Sequence, residues 1–234
     1  MWDNAPLLRN IANLLFGLSL LLVLYGVARY VLRLPVFPLR TVELIAAPQR
    51  VSLEQMEKVV HEQVHGNFFT VDLVRTRKVF EQLPWVRKVS VRRKFPWALQ
   101  VEVEEQVALA SWNGAALVNT RGEVFMAQTD EVLPSFVGQP DTSQQMTQLY
   151  GELNQVLLPM GQQIAQIAYS PRFAWQIRLD DGMVLELGRE EMQQRLSRFV
   201  NVYPYSLAFN APNVRRVDLR YRNGFAAYLA GSEV

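Results

Sequence analysis

The sequence predicts an α+β protein carried on a single N-terminal transmembrane helix, and three observations predict it. The first is the apolar run Ile11 to Ala28, which carries no charge and has Asn13 as its one strongly polar residue. The second is the stretch from Thr41 to Glu104, whose apolar spacing switches from strand to helix, helix again, strand and strand. The third is the texture beyond Glu105, where short strand patterns are parted by turn dipeptides such as Asn113-Gly114, Arg121-Gly122 and Asn223-Gly224, with two helical stretches between them. This last part predicts a mainly antiparallel β domain with flanking helices.

The eighteen residues of the apolar run span roughly 27 Å as a helix, close to the thickness of bilayer hydrocarbon. Tyr30, Val31, Leu32 and Leu34 lengthen the span to 11–34, with Arg29 and Arg33 snorkelling outward. The run exceeds the usual h-region of about 7–15 residues, and no A-x-A-like site follows it, so an uncleaved anchor is expected behind a tail of residues 1–10. Charge does not orient it. Arg9 precedes the helix while Arg29, Arg33 and Arg40 follow it, and long domains translocate largely regardless of charge.

After a linker marked by Pro35 and Pro38, a strand is expected at Thr41 to Ala46. Ser52 and Gln55 make a capping box that opens a helix with the apolar stripe Leu53, Met56, Val60 and Val64, closed by Gly66 as its C′ residue. A second helix, Val71 to Leu83, offers Val71, Val74, Phe80 and Leu83 to the core and stops at Pro84. Val86, Val89 and Val91 lead a strand, Phe95 to Ala98 turn the chain, and Leu99 to Glu104 return it. Strands then follow at Ala108 to Trp112, Ala116 to Asn119 and Glu123 to Met126, and residues 128–141 read as a polar connection. Thr142 and Gln145 cap a helix carrying Leu149, Leu153, Val156 and Leu157. Strands at Ile164 to Tyr169, Trp175 to Leu179 and Val184 to Leu187 are joined in part by the Asp180-Asp181-Gly182 turn. A helix from Glu190 to about Tyr203 presents Met192, Leu196, Phe199 and Val200, and the chain closes with strands at Val214 to Tyr221 and Phe225 to Leu229.

Little in this sequence suggests catalysis. The chain has no cysteine, which excludes disulfides and thiol chemistry and leaves zinc only histidine and carboxylate ligands. His61, Glu62 and His65 form the H-E-x-x-H pattern of zinc peptidases, in which two helical histidines bind the metal and the glutamate acts as base. A membrane-tethered zinc metallopeptidase is therefore the alternative function. These are the only two histidines, however, and they share a helix flank with Glu54 and Lys58 that reads as solvated. A third ligand such as Glu81 would sit among Arg77 and Lys78. Glu102 and Glu104 alternate with valines as the outward side of a strand would, Asp180 and Asp181 are turn residues, and no glycine-rich phosphate loop exists. The expectation is no enzyme, no catalytic residue, no metal site and no cofactor.

Two stretches suggest binding instead. Arg87, Lys88, Arg92, Arg93 and Lys94 make a basic run, open to three readings: lipid headgroups, nucleic acid phosphate, or a solvated strand edge protected by charge. With a net charge of only +2, bulk charge demands no nucleic acid, and none is expected as a partner. The last strand, Phe225 to Leu229, is apolar and terminal, the kind of edge that accepts an added strand from a partner.

Five segments in order, GNFFTVDL (Gly66 to Leu73), LPWVRKVSVRRKFPWALQVEVEEQVALASWN (Leu83 to Asn113), LVNTRGEVF (Leu117 to Phe125), LGREEMQQRLSRFVNVYP (Leu187 to Pro204) and VDLRYRNGFAA (Val217 to Ala227), resemble the FtsQ/DivIB family of bacterial cell-division proteins. The resemblance implies a single-pass inner-membrane protein of the division septum, with its N-terminus cytoplasmic. A POTRA domain at 35–106 and a β domain at 107–234 with a partner-binding C-terminal strand would both be periplasmic. It implies a divisome scaffold that binds FtsB and FtsL, meets other divisome proteins, and links early components to septal peptidoglycan synthesis. The family's FtsB contacts fall here on Arg220, Tyr221, Asn223, Gly224 and Leu229, with Arg172 ahead of the Trp175 strand. Its recruitment surface on the POTRA domain falls on Lys88, Val91 and Arg93. The family usually has proline where this chain has Val107, and often has longer tails at both ends.

Overall fold

In the computed structural model, residues 5–34, 37–171 and 174–230 are described, and they divide into two compact units at 1–105 and 106–234. The first unit opens with α1 (Ala5–Arg33), whose side chains face outward along its length. By length and composition α1 is able to cross a membrane, and it begins before Ile11, so most of the segment ahead of the apolar run is helical too.

Beyond α1 come β1 (Thr41–Leu44), α2 (Leu53–Gln63), α3 (Leu73–Phe80), β2 (Val86–Lys94) and β3 (Ala98–Glu105). The sheet order is β1-β3-β2, with β1 parallel and β2 antiparallel to the central strand. Val51, Met56, Phe80, Val86, Val89 and Val101 make its core. Met56 of α2 and Phe80 of α3 pack with Val86, Val89 and Val101 of the sheet, while Leu53 of the expected stripe is exposed.

Three local expectations change. Ser52 is the N-cap of α2, but its side chain makes no capping hydrogen bond. Asp72 does cap α3, accepting from the Val74 and Arg75 amides at 3.0 Å each. Gly66 is not the C′ residue of α2, since that helix ends at Gln63 with Val64 already extended. Gly66 instead takes φ +114° in the following turn, where a Cβ would meet the Thr70 side chain at 3.0 Å. Val74, expected in the core, is 57% exposed, and Thr76 on the same helix is buried instead. The helix starts at Leu73, and its buried residues Thr76 and Phe80, one turn apart, set the inward side; Val74 is turned about 160° from Thr76 at about 100° per residue.

The GNFFTVDL segment is a closed hydrogen-bonded loop. Asn67 Oδ1 accepts from the Phe69 and Thr70 amides, and Asn67 Nδ2 donates to the carbonyls of Leu32 and Leu34 at 2.8 and 3.0 Å. From the other side Arg93 donates to the carbonyls of Phe68 and Val71 at 2.7 and 2.9 Å.

The second unit contains β4 (Ala108–Trp112), β5 (Ala116–Asn119), β6 (Val124–Phe125), β7 (Ser135–Val137), α4 (Ser143–Leu157), β8 (Ile164–Tyr169), β9 (Trp175–Leu179), β10 (Val184–Gly188), α5 (Met192–Ser206), β11 (Val214–Asp218) and β12 (Ala226–Leu229). These strands form one sheet in the order β12-β11-β10-β9-β8-β7-β4-β5-β6. Most pairs are antiparallel. The exceptions are β4 with β7, β7 with β8 and β10 with β11, and the last two are crossovers made by α4 and α5.

Strand β7 corrects the reading of 128–141 as a connection. It is only three residues long, yet it joins the two halves of the sheet, and its Phe136 is fully buried. Met146, Leu149, Leu153 and Leu157 of α4 and Leu196, Phe199 and Val200 of α5 pack with the sheet into one core. Thr142 precedes α4 without a side-chain cap; its hydroxyl bonds the Gln139 carbonyl at 2.7 Å.

The LVNTRGEVF segment is held from within. Buried Asn119 accepts from the amides of Arg121 and Glu123 and donates to Gln106 and Glu123. Gly122, at φ +81°, lies so close to the start of α4 that a Cβ would sit 2.6 Å from the Gln144 Cα.

Candidate functional site

Strand β12 ends the second sheet, and among the described residues no strand lies beyond it. It pairs antiparallel with β11 through Val214↔Leu229, Arg216↔Tyr228, Val217↔Ala227 and Asp218↔Ala226, with an irregularity between Val214 and Arg216. The chain reaches it through an exposed turn, residues 220–224, and is pinned at the start by Phe225, which meets buried Phe199 edge-on at 5.4 Å. Ala227, Tyr228 and Leu229 are exposed. An apolar strand at a sheet's edge, fixed at one end by an aromatic contact, has the geometry that accepts another strand.

The turn beside it is organised by charge. Asp218 is buried at 3% exposure, and its carboxylate takes the Arg220 guanidinium through two bonds of 2.9 and 2.6 Å, as well as the Arg220 amide. Glu186 on β10 pairs with Arg216 and lies 3.4 Å from Arg220. The Arg220 hydrogen bonds outweigh desolvation and hold the Asp218 carboxyl below the usual carboxylate range. The same pairing pushes the Arg220 guanidinium further up. Gly188 in the LGREEM segment makes room for this arrangement, because a Cβ there would meet Arg195 at 2.9 Å and Arg220 at 3.2 Å. Arg198 on α5 bonds the Arg222 carbonyl and fixes the far side of the turn.

Five of the six residues expected at a partner-binding edge lie on this hairpin, four at the turn and Leu229 at the end away from it. Tyr221, Asn223 and Gly224 are exposed on the turn, Leu229 closes β12, and Arg220 stands where β11 gives way to the turn. Arg172 lies outside the described residues. Strand β11 ends at Asp218 rather than Tyr221, because the Asp218 side chain turns the following backbone toward itself. The Asp218–Glu186–Arg216 cluster was not legible beforehand. Its one signal was an aspartate placed next to Val217 in a strand whose other charged residues point outward.

The three residues expected on the first unit share a strand but not a face. All lie on β2, an edge strand of its sheet. Val91 and Arg93 sit opposite buried Val101 and Leu99, while Lys88 sits opposite Glu104 on the polar face. Arg93 is also occupied, holding the 68–71 carbonyls.

The H-E-x-x-H segment does not keep its helical spacing. His61 and Glu62 are on α2, but the helix ends at Gln63 and His65 follows the extended Val64. Both histidines are exposed, and Glu62 faces Lys58. Among the described residues no three His, Asp or Glu side chains group as metal ligands.

Two family models match the chain. The POTRA domain of FtsQ type matches residues 37–106, and the C-terminal region of cell division protein FtsQ/DivIB matches residues 110–220. Cell division protein FtsQ of Nitrosospira multiformis is 41% identical over 97% of this chain and 98% of its own length. The proteins of the same name from Bordetella pertussis and Burkholderia pseudomallei are 36% and 35% identical, over 98% and 99% of this chain and 93% and 95% of theirs.

Proposed function

This chain belongs to the FtsQ/DivIB family of cell division proteins, and from that premise we propose that it is a non-catalytic scaffold of the divisome. In this reading α1 anchors it once in the inner membrane with the N-terminus cytoplasmic. The two units stand in the periplasm at the septum, bind FtsB and FtsL, and couple early division components to septal peptidoglycan synthesis.

The observation that carries the reading is the outer edge of β12. FtsB adds a strand alongside Ala226 to Leu229, and Tyr221, Asn223, Gly224 and Leu229 receive its side chains. Main-chain hydrogen bonds supply affinity in such an addition, and flanking side chains supply selectivity. Arg220 contributes from the Asp218 cluster, as a cation already oriented by its own sheet. Arg172, outside the described residues, is proposed as the sixth contact from its place in the sequence before the Trp175 strand. On the first unit, β2 offers its edge to the proteins that recruit the chain, with Lys88 and Val91 presented on opposite faces and Arg93 holding the adjoining loop.

Tyr221→Ala tests this. The side chain is 55% exposed, so its loss leaves folding intact. Co-purification of the full chain with FtsB and FtsL is expected to weaken about tenfold or more, the effect of losing an interfacial aromatic anchor of at least about 1.4 kcal/mol. Unchanged co-purification would sink the strand-addition model. Depletion of the chain from cells is expected to give filaments.

A further inference from the structure

We propose that the β2–β3 hairpin tip, with Phe95 and Trp97, is a second membrane contact, seated in the anionic headgroup layer where α1 leaves the bilayer. The inference rests on α1 crossing a bilayer; it does not rest on FtsB binding.

Depth along α1 sets the position. Arg9 and Arg29 bracket the apolar run, and the twenty steps between them cover about 30 Å, the thickness of the hydrocarbon core. Leu32 and Leu34 then lie about 5 and 8 Å further along, within the interfacial layer. The carbonyls of these two residues are the ones that Asn67 takes, at 2.8 and 3.0 Å. The loop carrying Asn67 is thereby fixed at headgroup depth. Next to Asn67, the Phe68 ring meets Phe69 edge-on at 5.1 Å and Phe95 at 6.3 Å, so the hairpin tip is one ring contact away from that loop.

The tip is built for an interface. Phe95 is 81% exposed, and Phe69 and Trp97 are each 41% exposed. Beyond α1, these are the exposed aromatic side chains of the first unit among the described residues. Cations surround them. Arg40 lies over the Trp97 ring at 5.0 Å and its amide bonds the Trp97 carbonyl, while Arg92 and Lys94 lead into the turn. The acid within the patch, Glu43, is bound to Lys94 at 2.6 Å. A solvated strand edge would account for the cations but not for three exposed rings. Aromatic rings mixed with arginine and lysine are what bilayer interfaces select.

The test uses the full chain reconstituted in mixed phosphatidylcholine and phosphatidylglycerol vesicles, with lipids brominated near the glycerol end of the acyl chains. Trp97 emission is read as the difference between the chain and Trp97→Phe. The bromolipid is expected to remove at least half of that emission and aqueous acrylamide little of it. Phe95→Ser, and separately Arg92→Glu with Lys94→Glu, are expected to reverse this balance while circular dichroism stays unchanged. Trp97 emission that the bromolipid leaves alone in vesicle-bound chain would overturn the inference, and so would equal quenching in pure phosphatidylcholine. Protection from acrylamide without bromolipid quenching would show the ring covered by protein rather than lipid and overturn it as well. A chain that does not float with vesicles removes the premise. One that floats and captures FtsB but leaves Trp97 unquenched overturns this inference alone.

Discussion

Asp218 is the one charged side chain that the fold buries among the described residues, and its partners determine what that costs. With Arg220 bonded to it and Arg216 nearby, its folded pKa lies below the unfolded value. Its stabilising contribution is therefore fully present above the ordinary carboxylate pKa of about 4 and is lost as the pH falls through the folded value. Asp218→Asn is expected to destabilise the chain at neutral pH and to converge on the parent in acid. Urea melts taken across that range check it, and parallel curves would refute it. The same logic warns against Arg220→Ala as a probe of partner binding. That substitution strands a buried carboxylate, so lost binding would mix with lost structure. Tyr221 carries no such debt. Glu105 behaves like Asp218 on a smaller scale. Against the desolvation of its site, amides of Gln49, Arg50 and Val51 at 2.8 to 3.0 Å hold its pKa low and tie the segment before α2 to the end of β3.

Among the elements, the helix starts separate pattern from physics. Ser52, Asp72 and Thr142 all precede helices, yet Asp72 is the one whose side chain takes backbone amides. Asp72→Ala is expected to cost about 1 kcal/mol, the usual worth of an N-cap, and Ser52→Ala distinctly less. Thermal melts of the two variants separate these outcomes, and equal losses would contradict the hydrogen-bond assignment. Strand β7 carries more weight than its length suggests. The Phe136 ring lies 5.3 Å from the tilted ring of Tyr150, and its backbone pairs with strands on both sides. Phe136→Ala is expected to cost about 3–5 kcal/mol, as large aromatic truncations in cores do. A change below about 1 kcal/mol in chemical denaturation would show that β7 is dispensable to the sheet.

For the whole molecule, the two cores share no residue, one drawn from Val51 to Val101 and the other from Ala110 to Leu219. The segment 106–234 is therefore expected to fold alone and melt cooperatively, as followed by circular dichroism; a broad, non-cooperative transition would show that it needs the first unit. What the sequence by itself determined were features written in local order. The apolar run of α1, the alternation of β2 and β3, the turn dipeptides and the five segments that mark the family were all legible, because period, composition and chain order suffice to define them. Tertiary structure alone decided the rest. Strand β7 has too few residues to show a period and exists because β4 and β8 flank it. His65 left its helix because α2 closes at Gln63, which undid a catalytic spacing that the letters had preserved. Arg93 turned to loop carbonyls and Asp218 became buried, while the edge expected of the last strand took its place in the sheet order beside β11. Each of those depends on which distant segments arrive beside a residue, and burial, pairing and edge position are properties of that arrival.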